Sequence, residues 1–146
     1  MKTFLLICSL FGACGTVTAQ DKVNIQSGFY HVSDKTDSSV MLKDYSDTLY
    51  LYPTPFIKVS DFLEAKLMKD YADRWNVEII MTPAGKVALR SASEAWQGNK
   101  MAVIVKNKIV MAPILNTTIR EGKFVINGLS GKGEANKLLG DIQSEM

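Results

Sequence analysis

The chain has 146 residues, of which 47% are hydrophobic and 22% are charged, and its formal net charge is +2. This composition is typical of a folded globular protein with one core, and it excludes a mainly disordered chain. The small excess of cations excludes a strongly basic nucleic-acid surface, and the length suits one domain better than a two-domain enzyme.

The first residues predict a leader that directs the protein out of the cytoplasm. One lysine precedes an uncharged apolar segment, and small residues follow it as far as Ala19. This is the layout of a signal peptide over residues 1–19, and its apolar part is shorter than the roughly 20 residues that a membrane-spanning helix needs. A second interpretation stays open, because the Gly-Ala-Cys sequence that ends at Cys14 resembles a bacterial lipobox. The leader would then be residues 1–13, and Cys14 would be the lipidated first residue.

The cysteine positions limit the chemistry of the mature protein. Both cysteines, Cys8 and Cys14, lie in the leader. We therefore expect a mature domain without a disulfide, a thiol nucleophile or a cysteine-based metal site. After a polar lead-in over residues 20–27, the domain occupies residues 28–146, where no segment is apolar enough to predict a transmembrane helix.

The first part of the domain predicts two strands and a helix. Residues 28–33 and 47–52 are rich in aromatic and β-branched side chains, and the polar residues 34–39 form a loop between them. Prolines end the second strand. Ser60 then caps a predicted helix, whose apolar side chains have helical spacing: Leu63, Leu67 and Tyr71.

A buried strand and a second helix follow. Residues 75–82 are largely apolar, and Thr82 followed by proline is typical of a helix start. Gly98 ends this helix. Small side chains share one face, which would let the helix lie close to a sheet: Ala84, Ala88, Ala92 and Ala95.

The clearest local pattern is a hairpin. Residues 101–105 and 109–112 are apolar and flank Lys106-Asn107, and asparagine tolerates the positive φ of a two-residue turn. Residues 124–126 add a strand. Ser130 caps a last helix, whose predicted buried side chains are Ala135, Leu138, Leu139 and Ile142. The mixed order predicts an α+β single domain, a mainly antiparallel sheet with about three helices packed on one face.

No set of residues in the sequence indicates catalysis, a metal site or a cofactor site. His31 is the only histidine, and there is no G-x-S-x-G elbow to present a serine nucleophile to it. One histidine without cysteines does not suffice for zinc. Residues 128–133 are rich in glycine but lack the spacing of a phosphate-binding loop, so we interpret them as a turn before the last helix.

The aromatic side chains concentrate in the first half of the domain. Tyr50 and Tyr52 alternate along one predicted strand and should face the same side. Together with Tyr30 and Phe56 they form a candidate peptide-contact surface. Packing of the same side chains within the core is the competing interpretation.

Residues 98–130 resemble the head subdomain in the first large periplasmic domain of SecD, a bacterial protein-export subunit. The family pattern is an apolar strand, a turn, a strand that ends in Ala-Pro, a glycine turn and an Ile-x-Gly strand end. The chain matches this pattern in order at Ala102, Val103, Ile104, Lys108, Ala112, Pro113, Ile119, Gly122, Ile126 and Gly128. Residues 28–32 and 60–65 resemble upstream parts of the family, so the resemblance covers residues 28–140.

The resemblance implies a SecD head-like module that is not an enzyme. We expect it to be exported to the periplasm or cell envelope and to bind unfolded or extended polypeptide, or another envelope protein, in a role related to protein export. An open sheet edge or face would serve this by strand addition. The alternatives are a lipoprotein that acts as an interaction subunit anchored through Cys14, and a small hydrolase. We expect no nucleic-acid partner and no cofactor.

Overall fold

The computed structural model describes residues 24–43 and 48–146, so the predicted leader, with Cys14, lies outside the described residues, as do residues 20–23 of the predicted lead-in. Within the described residues, the strands and α-helices are β1 Gly28–Ser33, β2 Val40–Lys43, β3 Thr48–Leu51, β4 Ile57–Lys58, β5 Phe62–Lys69, β6 Trp75–Met81, α1 Pro83–Ala95, β7 Met101–Val105, β8 Lys108–Met111, β9 Lys123–Ile126 and α2 Lys132–Gln143.

The strands form two antiparallel sheets. The larger sheet has the order β2-β3-β1-β7-β8, and β4 also pairs with β1; the smaller sheet has the order β5-β6-β9. Each of these strand pairs is antiparallel. The predicted α+β class with mainly antiparallel pairing is therefore confirmed. The described residues contain two α-helices where we expected about three.

Two clusters of buried side chains lie on opposite faces of β1 and β7. One cluster, the helix-side core, includes Phe29 and Val103 together with apolar side chains of both sheets and both helices. The other, the second core, includes Tyr30 and Ala102. Every residue of β7 is buried. Because successive side chains of a strand point to opposite faces, β7 has an uninterrupted apolar sequence instead of an alternating one.

The helix predicted from Ser60 is wrong, because residues 62–69 form β5. A β-bulge between Phe62 and Glu64 shifts the register against β6, so that Phe62 and Ala65 both point into the helix-side core. The predicted helical stripe is not buried as a unit, since Leu63 is 62% exposed and Tyr71 is fully exposed.

Helix α1 begins as predicted. Thr82 precedes it, and its hydroxyl oxygen accepts a hydrogen bond from Gly85 N–H at 3.1 Å. Its buried residues are Gly85, Leu89 and Ser93, whereas Ala84 of the predicted alanine face is exposed. Glycine at position 85 is required by contact with the segment before β5, because a Cβ there would lie 2.6 Å from Asp61 O.

Helix α2 packs against β5, β6 and β7, and it buries Ala135, Leu138 and Ile142 as predicted. Ser130 does not cap it. The residue before the helix is Gly131, and the Glu134 carboxylate instead accepts a hydrogen bond from Ser130 N–H at 2.6 Å. Neither helix in the described part of the chain is long and apolar enough to cross a membrane.

The β7–β8 hairpin has the predicted turn. Lys106 and Asn107 have φ values of 48° and 62°, and Val105 pairs with Lys108 across the turn. Two positive φ angles in a two-residue loop are those of a type I′ turn, whose twist matches that of antiparallel strands.

Glycines in the two helices predict opposite effects of substitution by alanine. At Gly140, on the exposed side of α2, an added Cβ meets nothing within 4 Å, so Gly140→Ala should stabilise the protein by about 0.5–1 kcal/mol. At Gly85 the added Cβ would clash with the backbone oxygen of Asp61, so we expect the free energy of unfolding to fall by about 1–3 kcal/mol. Urea unfolding of both variants measures this difference; stabilisation by Gly85→Ala would contradict the packing described.

Candidate functional site

The structure divides the predicted aromatic surface between the two faces of the larger sheet. Tyr30 is only 2% exposed, and its hydroxyl donates to Gln26 O at 2.6 Å within the second core. This burial raises the pKa of Tyr30. Tyr30 is therefore a packing residue and is not available at the surface.

The other three predicted residues lie on the opposite face. Tyr50 is half-buried and pairs with Ser33 across β1 and β3. Tyr52 follows at the end of that strand, on the same side as Tyr50, and donates its backbone N–H to His31 O at 3.0 Å. Phe56 is half-buried and packs against the helix-side core.

Tyr52 and Phe56 form an aromatic cluster with two residues that the sequence did not link to them, His31 and Trp96. The His31 ring centroid lies 4.3 Å from that of Phe56, with 18° between the planes, and 4.3 Å from that of Trp96. Phe56 and Trp96 therefore both pack directly against the imidazole. Tyr52 stands nearly perpendicular to His31 and to Trp96, with centroids 6.1 Å and 5.7 Å away.

Two ring nitrogens of this aromatic cluster lack hydrogen bonds in the part of the chain that the structure describes. His31 Nδ1 and Trp96 Nε1 are buried and have no hydrogen-bond partner within the described residues. Burial lowers the pKa of His31, so the imidazole is held in its neutral form. The stacked imidazole packs between aromatic rings, and no hydrogen bond from the described residues orients it.

A second candidate surface is a groove between β8 and α2, which we call the edge groove. Its volume is about 310 Å³. Apolar side chains from the hairpin, from the turn before α2 and from α2 itself form its floor. Its lining residues are Val105, Lys108, Ile109, Val110, Leu129, Glu134, Lys137, Leu138 and Asp141.

Strand β8 is an outer strand of the larger sheet, so one of its edges has no neighbouring strand among the described residues. In a two-residue hairpin the residues that flank the turn, Val105 and Lys108, form a hydrogen-bonded pair. The next pair, Ile104 and Ile109, is then a non-hydrogen-bonded pair. The N–H and C=O of Ile109 consequently point away from β7, toward the open edge.

Charged groups form the rim of the edge groove. Asp141 pairs with Lys137 at 3.0 Å and with Lys106 at 3.4 Å, so α2 and the hairpin turn are bridged by one carboxylate. Hydrogen bonding from Lys137 is the main cause that lowers the pKa of Asp141, and Lys106 adds to it. The result is an apolar floor beneath a rim of mixed charge.

The sequence alone did not indicate the edge groove, because its two walls are more than twenty residues apart in the chain. The available signal was the apolar sequence of β8, which is half-buried although it pairs on one side only. Within residues 24–43 and 48–146, no three His, Cys, Asp or Glu side chains come together in a group that could hold a metal ion.

The buried imidazole predicts a pH dependence of stability. The unfolded chain takes up a proton at His31 near pH 6.5, whereas the folded state resists protonation because its pKa is lowered. The free energy of unfolding should therefore fall as the pH is lowered from about 7 to about 5. His31→Phe, which keeps a stacked ring, should remove most of this slope, because the chain has one histidine.

Urea unfolding of both proteins across this pH range measures the slope. Among the described residues, three carboxyl groups have a lowered pKa: Asp70, Glu134 and Asp141. They change the free energy of unfolding only below about pH 4.5, so they do not contribute to the slope between about pH 7 and about pH 5. An equal slope in the wild type and in His31→Phe would contradict the burial of His31.

The comparisons with known proteins agree on one family. The family model for the SecDF P1 head subdomain matches residues 35–144. The chain is 25% identical over 127 residues to the protein translocase subunit SecDF of Thermus thermophilus. The aligned region covers 87% of this chain but only 16% of that protein.

Solved structures of SecDF share the fold. A crystal structure of SecDF in the super-membrane-facing form superposes with a TM-score of 0.67 at 20% identity, over 80% of this chain and 18% of that chain. A structure of the membrane component SecDF that enhances protein export superposes with a TM-score of 0.66 at 20% identity, over 83% of this chain and 64% of that chain. The chain therefore belongs to the SecDF P1 head subdomain family.

Proposed function

We propose that this protein is a non-enzymatic binding module that holds extended polypeptide outside the cytoplasm, in a role related to protein export. Membership of the SecDF P1 head family supports the connection with export and the extracytoplasmic location. The chain spans only 16% of the SecDF relative, so the proposal concerns binding by this domain and not transport by a whole translocase subunit.

The observation on which the proposal rests is the open edge of β8 beside the edge groove. An extended peptide that pairs with this edge would satisfy the outward N–H and C=O of Ile109. Alternate side chains of the added strand would point toward α2, where Val110 and Leu138 line the groove. Backbone pairing gives affinity for many sequences, and the groove selects apolar side chains.

Three of the predicted aromatic residues support a second contact area, which is separate from the edge groove. Tyr52 is 44% exposed and Phe56 is half-buried, both in the aromatic cluster at the opposite end of β7 from the hairpin turn. We keep Tyr52, Tyr50 and Phe56 as proposed contact residues of lower rank, and we exclude Tyr30 because it is buried.

We propose further that the mature protein begins at Gln20 after removal of residues 1–19 and remains in the periplasm or cell envelope. The alternative start at Cys14 would add a lipid and anchor the domain to a membrane. Intact-mass measurement of the protein from a native host distinguishes the two, because only the second start adds the mass of acyl chains.

Charge placed in the edge groove should prevent peptide binding. Leu129 is half-buried and lines the groove, so Leu129→Asp should weaken binding of an unfolded apolar peptide about tenfold or more. Val87→Asp, at a site on α1 that is 65% exposed, is the matched control and should bind as the wild type does. Fluorescence anisotropy of a labelled peptide measures both affinities; equal weakening in both variants would contradict the proposed site.

Backbone pairing is tested separately at Ile109. Ile109→Pro removes the outward N–H while it leaves the hydrogen bonds between β8 and β7, because that N–H does not point to β7. Ile109→Ala removes the side chain to a similar extent but keeps the N–H. We expect the proline variant to bind peptide at least fivefold more weakly than the alanine variant, with equal circular dichroism spectra. Equal affinities would exclude strand addition at this edge.

A further inference from the structure

We propose that a cleft beside the aromatic cluster is a binding site for a guanidinium group. The cleft lies between Trp96, at the end of α1, and the loop that follows β1. Its volume is about 370 Å³, and the residues that matter for binding are Asp34, Tyr52, Trp96 and Asn99. A smaller cavity of about 220 Å³ adjoins it and shares Ser33, Thr36 and Tyr52, so the two form one trough.

Two aromatic rings form a corner of the cleft. The Tyr52 and Trp96 rings are 5.7 Å apart between centroids and stand at 85° to each other. Since His31 covers one side of Trp96, the Trp96 surface that lines the cleft is what remains for a ligand. Aromatic walls of this kind attract a cation through the ring quadrupole, and tryptophan does so best.

The hydroxyl and amide donors of the loop are already used within the protein. Ser33 Oγ donates to Asp34 O at 2.9 Å, and Ser39 Oγ donates to Thr36 O at 2.8 Å. On the other side of the cleft, the Asn99 amide donates to Gln97 O at 3.3 Å. The cleft therefore offers a ligand few hydrogen-bond donors.

The polar groups that a ligand can reach are all able to accept a hydrogen bond, because Trp96 Nε1 is buried and the Tyr52 hydroxyl accepts as well as donates. The Asp34 carboxylate is exposed and makes no ion pair or hydrogen bond within the described residues, and the side-chain Oδ1 of Asn99 likewise accepts none there, although its backbone oxygen accepts from Leu115 N–H. The described residues that line the cleft include this one carboxylate and no lysine or arginine. An anion would be repelled by Asp34, so the cleft favours a ligand with a positive charge.

A guanidinium group matches this set. It has five N–H donors and no acceptor, it is flat, and it stacks on aromatic faces while it pairs with a carboxylate. The same arrangement fits an ammonium group less well, because an ammonium is compact and strongly hydrated. The ligand class is therefore an arginine side chain, either in a polypeptide or in a small molecule.

This site is independent of the edge groove. Its residues adjoin the Met101 end of β7, because His31 pairs with Met101 and Asn99 precedes that strand, whereas the groove adjoins Val105 at the other end. Loss of peptide binding at the groove therefore leaves this proposal standing, and a test with a single amino-acid derivative does not involve strand addition.

The experiment is a titration of the protein with N-acetyl-L-arginine amide, followed by the indole N–H signal of Trp96 in ¹H–¹⁵N spectra. The chain has two tryptophans, so a Trp75→Phe background leaves one indole signal. We expect a saturable shift with a Kd in the millimolar range, of order 1 mM. The citrulline derivative, which has nearly the same shape but no charge, should give no saturable shift.

Two carboxylates of the same loop provide a matched pair of variants. Asp34→Asn should weaken binding at least fivefold, while Asp37→Asn, also exposed but outside the cleft lining, should leave the Kd unchanged. Neither change touches a buried residue, so both variants should fold. Equal binding of the citrulline derivative, or an unchanged Kd in Asp34→Asn, would overturn the proposal.

Discussion

The burial of β1 and β7 on both faces is the constraint on which the rest of the structure depends. Phe29 and Val103 face the helix-side core, while Tyr30 and Ala102 face the second core. Both strands are also paired along both edges, and Gly28 allows β4 to approach β1 so closely that a Cβ would lie 2.3 Å from the backbone of β4. Between Gly28 and Tyr30 of β1, and along β7, these strands have no face or edge left for a partner, whereas His31–Ser33 at the end of β1 are half-buried. Binding surfaces are thereby confined to the outer strands and to the ends of β1 and β7.

The edge groove follows from this arrangement. Helix α2 covers β5, β6 and β7, and the space beside β8 remains open. The Ile109 side chain packs against the second core, so the outer strand is held in place on one side while its backbone stays available on the other. Ion pairs of Asp141 with Lys106 and Lys137 join α2 to the hairpin turn. Pairs with such exposed lysines add little stability, so the position of α2 depends mainly on its apolar packing in the helix-side core.

Elements set by neighbouring residues were predictable from the sequence, and elements set by distant contacts were not. The type I′ turn at Lys106 and Asn107 and the Thr82 cap depend on local backbone preferences. The spacing of Leu63, Leu67 and Tyr71 predicts a helix, but residues 62–69 pair with β6 as a strand with a bulge, which no local signal reveals. The aromatic candidates show the same limit. Tyr52 was identified from strand alternation, whereas Trp96 joins it through the packing of α1.

The spacing of the two proposed sites decides how one ligand could use both. The guanidinium cleft and the edge groove adjoin opposite ends of β7, which are four residue steps or roughly 13 Å apart along the strand. An extended chain needs at least about four residues to cover that distance. A polypeptide with an arginine beyond its strand-forming segment could occupy both sites, and the second contact would then be intramolecular. With an effective concentration of about 1 mM and a Kd of order 1 mM for the arginine contact, the second contact would strengthen binding by about twofold, so the edge groove would still supply most of the affinity.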